Sequence, residues 1–131
     1  MYKKHIVFFV DHKWRDLLIS VYIKLLLEEK GYKVTISRNG FEPIVLPAIQ
    51  PDAVIFNHVY EDKRVKVIKK FIKNGLKVII LPTENIPVMD NVKKLFAGAT
   101  SDMSVVDLYF IWNSVVEKVI YEEKTINPEK V

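Results

Sequence analysis

The six residues from Asp11 to Asp16, D-H-K-W-R-D, carry the side chains of this chain best suited to chemistry. Arg15 could clamp a carboxylate or phosphate through two parallel hydrogen bonds. It could equally pair with Asp11 or Asp16 and so hold the loop in shape. His12 could serve as a general base, because its ordinary pKa lies near neutral pH. The residue types and their spacing therefore indicate either a loop that binds an anion or a sugar, or a loop whose charges serve only to hold its shape.

Polar and aromatic groups also follow the other predicted strands. A carboxylate such as Glu84, placed after a buried strand, could orient a sugar hydroxyl or act as a base, or simply cap the next turn. The candidate site contains Glu84 and His12 as catalytic residues and, as substrate-binding residues, Asp11, Lys13, Arg15, Asp16, Asn57, Thr83 and Trp112. We expect no metal site, because the histidines lack metal-ligand spacing. The alternative is that loops are polar anyway and that Asp16 is a helix N-cap.

Five apolar runs predict the strands that must position these groups. They are continuous and rich in β-branched and aromatic residues, which is typical of strands buried on both faces: His5–Val10, Tyr32–Ser37, Asp52–Asn57, Lys77–Leu81 and Val106–Trp112. Helical apolar periodicity predicts three long helices, at 17–31 with a wide apolar face, 62–75 and 114–123. Two shorter pieces are predicted at 43–49, as a connector or a helix of one to two turns, and near Asn91 to Phe96.

This alternation of strands and helices predicts a Rossmann-like three-layer α/β/α sandwich, with a mostly parallel sheet of five or more strands. Residues 1–131 show no internal linker or repeat, so we expect a single domain. Ligands of such folds bind outside the carboxyl ends of the strands. The candidate residues all lie at the ends of predicted strands or just after them, and are therefore expected at one edge.

Composition excludes several classes of protein. Half of the 131 residues are hydrophobic, which excludes a disordered tail, and the absence of cysteine excludes disulfides and thiolate metal sites. No apolar run spans a bilayer, and no signal peptide is visible, so we expect a cytoplasmic protein. The net charge of +4 comes from lysine-rich helices, which are either solvated or attracted to an anionic membrane surface or acidic glycan. No nucleic-acid motif is present, and the loop after the first strand lacks the glycines of a dinucleotide or phosphate cradle.

Several motifs resemble bacterial surface-carbohydrate biosynthesis proteins, which are glycosyltransferase-like proteins of the two-domain GT-B architecture. The most specific are D-H-K-x-R-D-L at 11–17 and L-x-T-E at 81–84, followed by D-x-Y-F-x-W at 107–112. The resemblance implies the N-terminal, acceptor-binding half of a glycosyltransferase for surface polysaccharide. It further implies a glycan acceptor, a C-terminal domain holding the nucleotide-sugar donor, no cofactor in this half, and possible peripheral contact with the inner membrane face. Asn113 departs from the glycine that the family tends to have there.

Two other functions stay open. One is a stand-alone Rossmann- or flavodoxin-like binding or interaction module without catalysis, similar in size to a receiver domain. A receiver should carry a phosphoacceptor aspartate at the end of its third strand, where this chain has Asn57. The other is a small hydrolase using His12 or Glu84, although no nucleophile elbow supports it.

Overall fold

A computed structural model describes residues 2–58, 62–83, 103–111, 113–123 and 127–131. Its strands are β1 (His5–Val10), β2 (Lys33–Arg38), β3 (Ala53–Phe56), β4 (Lys77–Ile80) and β5 (Leu108–Tyr109). Its helices are α1 (Lys13–Glu29), α2 (Glu42–Ile49), α3 (Asp62–Ile72) and α4 (Ser114–Glu123), with short 3-10 turns at Met103–Val105 and Pro128–Lys130. The predicted short helix near Asn91 to Phe96 lies outside the described residues.

The five strands form one parallel sheet in the order β2-β1-β3-β4-β5. Each neighbouring pair is parallel, with Ile6 opposite both Val34 and Ala53. Parallel neighbours require crossover connections, and helices α1, α2 and α3 supply those that lead from β1 to β4. The predicted three-layer α/β class is confirmed, and the strand order is that of the flavodoxin-like variant of doubly wound sheets.

The core lies on both faces of the sheet. Alternate residues of β1 separate into two clusters, with Val7 and Phe9 on one side and Ile6, Phe8 and Val10 on the other. The first cluster includes side chains of α2 and α3, and the ring of Phe9 stacks on that of Phe56 at 5.0 Å between centroids. The second is covered by α1 through Leu17, Ile23 and Leu27. Helix α1 therefore lies on the face of the sheet opposite α2 and α3.

The predicted wide apolar face of α1 is largely exposed. Its fully buried residues are polar, Asp16 and Ser20, whereas large apolar side chains point to solvent: Trp14, Leu18, Ile19, Val21, Tyr22, Leu25 and Leu26. The helix also begins at Lys13, four residues before the predicted start. No described helix is long and apolar enough to span a membrane.

Candidate functional site

The carboxyl edge of the sheet gathers around the side chain of Asp16. This residue lies in the first turn of α1 and is only 1% exposed. Its carboxylate turns back to accept the backbone N–H of His12, the N-cap residue, at 2.8 Å. A first-turn carboxylate also suits the positive end of the helix. Asp16 is therefore not the N-cap: it lies one turn inside the helix and accepts the N–H of the residue that is.

Arg15 holds this carboxylate with two donors. Its Nε donates to Asp16 Oδ1 at 2.6 Å, and its Nη2 donates to Oδ2 at 3.0 Å. The same Nη2 lies 3.4 Å from a carboxylate oxygen of Asp11. Of the two roles open to Arg15, the structure has it tied to neighbouring acids. Its charge is matched by the loop's own carboxylates.

Asp16 stays ionised in spite of its burial. Burial raises the pKa of this carboxyl, but hydrogen bonds from the Arg15 side chain and the His12 backbone outweigh that effect. The nearby Thr83 hydroxyl and the charge of Arg15 act in the same direction. The net result is a pKa of Asp16 below its usual value. The centre of the site is therefore a buried carboxylate whose charge is neutralised by the more exposed guanidinium of Arg15.

Asn57 joins this pair from the end of β3. It directly follows Phe56, the last residue of the strand, and is 6% exposed. Its Nδ2 donates to Asp16 Oδ2 at 3.3 Å, whereas its Oδ1 is buried without a hydrogen-bond partner in the described structure. Thr83, after β4, has its hydroxyl buried near Asp16 but outside the geometry of a full hydrogen bond. The predicted convergence of residues that follow different strands occurs for Asp11, Arg15, Asp16, Asn57 and Thr83.

The remaining candidate residues are placed differently. The side chain of His12 is exposed, and its backbone alone is bonded to Asp16. The Nζ of Lys13 lies 5.0 Å from the centre of the Trp14 ring. Glu84 and Trp112 lie outside the described residues. The substrate-binding and catalytic roles given to all these side chains are untested and stay predictions.

Asn39 is a residue of this edge that the candidate set omits. It follows β2, and its backbone N–H donates to the carbonyl of Val10 at 2.9 Å. Both polar atoms of its side chain are buried without a partner in the part of the chain described. Its position after a strand was visible in the sequence, but nothing there indicated burial. Across the described ranges, no group of three or more His, Asp or Glu side chains could hold a metal ion.

Neither a protein-family model nor a curated protein matches this chain. Among solved structures, the chain is similar to a DNA-binding response regulator of the LuxR family from Staphylococcus aureus. The two share 18% identity with a TM-score of 0.50, over 95% of this chain and 99% of the other. At that identity the match shows the fold, which agrees with the strand order observed here.

The similarity to a response regulator overturns the glycosyltransferase interpretation. The assignment to surface-carbohydrate biosynthesis was wrong, and so were the glycan acceptor and the C-terminal nucleotide-sugar domain as partners. The motifs behind it have local structural explanations. In D-H-K-x-R-D-L, Arg15 and Asp16 bind each other and His12 starts a helix. In D-x-Y-F-x-W, Asp107 accepts the backbone N–H of Val78 at 2.9 Å and so fixes the neighbouring strand. The nucleotide-sugar donor and a further domain after residue 131 are untested.

Proposed function

We propose that this chain is a flavodoxin-like binding module of the response-regulator receiver type that acts without phosphoryl transfer. The fold and strand order support the receiver type. The observation that carries the proposal is Asn57, which occupies the end of β3. A receiver should have its phosphoacceptor aspartate there. An amide oxygen carries no charge and cannot form the acyl phosphate.

The ion pair beside Asn57 supports the same proposal. Transfer of a phosphoryl group generally relies on a divalent cation to neutralise the charge that develops. Here the guanidinium of Arg15 already neutralises Asp16 and reaches Asp11. A cation would have to displace a side chain held by two short hydrogen bonds. The module would thus keep one conformation and bind its partner without a chemical switch.

The test is phosphorylation in vitro. The chain would be incubated with acetyl phosphate and Mg²⁺ and followed by intact-mass spectrometry. We expect no phosphoryl adduct on the native chain. The matched variant is Asn57→Asp combined with Arg15→Ala, which restores a carboxylate and removes the competing cation, and should gain an acid-stable, hydroxylamine-labile adduct. An adduct of that kind on the native chain would overturn the proposal.

A cytoplasmic location belongs to this proposal, since receiver-type modules meet their partners there. Peripheral contact with the inner membrane face stays a prediction based on the lysines of α3, of which Lys63, Lys66 and Lys70 are exposed. Sedimentation with vesicles containing anionic lipid, compared with neutral vesicles, would test it. Binding confined to anionic vesicles is the expected sign of such contact.

A further inference from the structure

We infer that the exposed face of α1 is a homodimer interface, in which the helices of two copies pack antiparallel about a twofold axis. The α1 face is defined here as Trp14, Leu18, Ile19, Val21, Tyr22, Leu25 and Leu26. Trp14 is 83% exposed and Leu18 is 80% exposed. Large contiguous apolar patches on a protein surface mark interaction sites.

The face is continuous along the helix. Trp14, Leu18, Val21 and Leu25 are spaced by four, three and four residues, which places them on one side of an α-helix. That side lies opposite the buried Asp16 and Ser20. The side toward the sheet also carries the apolar residues Leu17, Ile23 and Leu27. Helix α1 therefore has apolar side chains on both sides, which is typical of a helix covered all round. The sheet covers one side, and no described residue buries the other.

The size of the face fits a second copy. Weighted by the exposed fraction of each side chain, with about 150–250 Å² for a whole aromatic side chain and less for an aliphatic one, the face exposes on the order of 700 Å². A standard protein–protein interface buries about 800 Å² on each partner. A twofold dimer uses the same patch on both copies, so the α1 face supplies most of a standard interface.

The pattern of residues is complementary to itself in the antiparallel direction. With the axis beside Val21 and Tyr22, residues whose numbers lie equally far from that point face each other. Leu18 of one copy then meets Leu25 of the other, and Trp14 meets Glu29. Because the ammonium of Lys13 lies 5.0 Å from the centre of the Trp14 ring, it is brought to the Glu29 carboxylate. Each end of the interface gains an opposite-charge pair, and a parallel arrangement would lose both.

The charges around the face disfavour a membrane as its occupant. Interfacial helices carry Lys and Arg beside their apolar side. Beside the α1 face, Lys13 at its start is offset by Glu28 and Glu29 of the last turn, which carries no basic residue. The lysine-rich helix α3 lies on the opposite face of the sheet. A flat anionic surface therefore could not contact the α1 face and the α3 lysines together.

This inference goes beyond the proposed function, because no residue of the α1 face forms a hydrogen bond with the side chain of Asp16 or Asn57. Either proposal can fail without the other.

Sedimentation equilibrium of the whole chain, up to about 100 μM, should show a monomer–dimer equilibrium. Leu18→Asp should raise the dissociation constant at least about tenfold, as expected for a central interface residue. The matched control is Ile44→Asp on α2, where an isoleucine is 66% exposed outside the face, and it should leave the equilibrium unchanged.

A charge exchange tests the antiparallel geometry. Lys13→Glu and Glu29→Lys should each weaken the dimer, because each puts like charges together. The double variant should recover most of the native affinity. A strictly monomeric native chain would overturn the inference, and so would a dimer unaffected by Leu18→Asp or a double variant weaker than both single ones. A monomer whose melting temperature falls on Leu18→Asp would mean that the chain covers the face itself, which also overturns it.

Discussion

The Nδ2 of Asn57 lies 3.3 Å from Oδ2 of Asp16 and so connects the end of β3 to the first turn of α1. Asp16 is held on its other side by Arg15 and by the backbone of His12. One carboxylate therefore joins two segments that are distant in sequence, the start of α1 and the end of β3, and its charge is balanced within the site. Polar side chains at the edge where ligands bind in such folds can therefore bind one another and stabilise the fold instead.

Replacing Asn57 with aspartate should destabilise the chain near neutral pH. Asn57→Asp removes a donor to Asp16 and places a second carboxylate beside a buried one, and like charges in such positions cannot both ionise without cost. We expect a loss of about 1–3 kcal/mol in the free energy of unfolding, measured by urea denaturation. Asn57→Ala, which adds no charge, is the control, and equal loss at every pH in both variants would contradict the explanation.

The contribution of Asp16 should disappear in acid. Its pKa in the folded state is lowered, so the stabilisation is fully present above the unfolded pKa of about 3.9 and is lost as the pH falls through the folded value. Asp16→Asn should cost about 2 kcal/mol at pH 7, as for hydrogen bonds to a charged group. The cost should shrink as the pH falls below the unfolded pKa of about 3.9. Denaturant titrations of both proteins across this range would measure it, and a cost independent of pH would contradict the assignment.

His5 should give a separate pH dependence at higher pH. Its pKa is lowered by burial and by the charge of Lys33, partly offset by Asp52, so the fold favours the neutral ring. Protonation of such a group favours the unfolded state. The free energy of unfolding is therefore unaffected above the unfolded pKa of about 6.5 and falls as the pH drops below that value. His5→Gln can keep a hydrogen bond to Thr35, which His5 Nε2 contacts at 2.9 Å. Its melting temperature should vary less than that of the native chain between pH 7 and pH 5.

The sequence was sufficient for the fold class and for much of the site, because both depend on local patterns. Buried strands show as apolar runs, and β1 and α4 have the bounds that their patterns predict. Residues after parallel strands must share an edge, so Asp16, Asn57 and Thr83 could be expected together. The exposure of α1 could not be expected, because apolar periodicity shows that a face needs covering and does not identify what covers it.

The motifs could not identify the function for a related reason. A pattern such as D-H-K-x-R-D looks like a ligand-binding loop whether its charges bind a ligand or each other. Only the distances between Arg15 and Asp16 separate the two cases. Strand order, which distinguishes the flavodoxin-like sheet from its relatives, is set by packing between segments far apart in the chain. Local sequence patterns do not carry that information.

The pair of Arg64 and Glu42 should be the most sensitive ionic contact described in the chain. Arg64 Nε donates to Glu42 Oε1 at 2.9 Å, and both side chains are buried. The guanidinium also donates to the carbonyl of His58 at 3.0 Å and lies 5.3 Å from the Phe56 ring, so it joins α2 and α3 to the end of β3. Removing one member of a buried pair leaves the other charge uncompensated and costs about 3–5 kcal/mol.

Arg64→Met should therefore lower the free energy of unfolding by about 3 kcal/mol or more, measured by urea denaturation at pH 7. The matched control is Lys118→Met, which breaks an exposed pair with Glu122 at 3.7 Å and should cost less than about 1 kcal/mol. The double variant Arg64→Met with Glu42→Leu should recover part of the loss, because apolar side chains can replace a buried pair. Equal, small losses in Arg64→Met and Lys118→Met would contradict the view that this pair holds α2 and α3 at the edge where Asn57 lies.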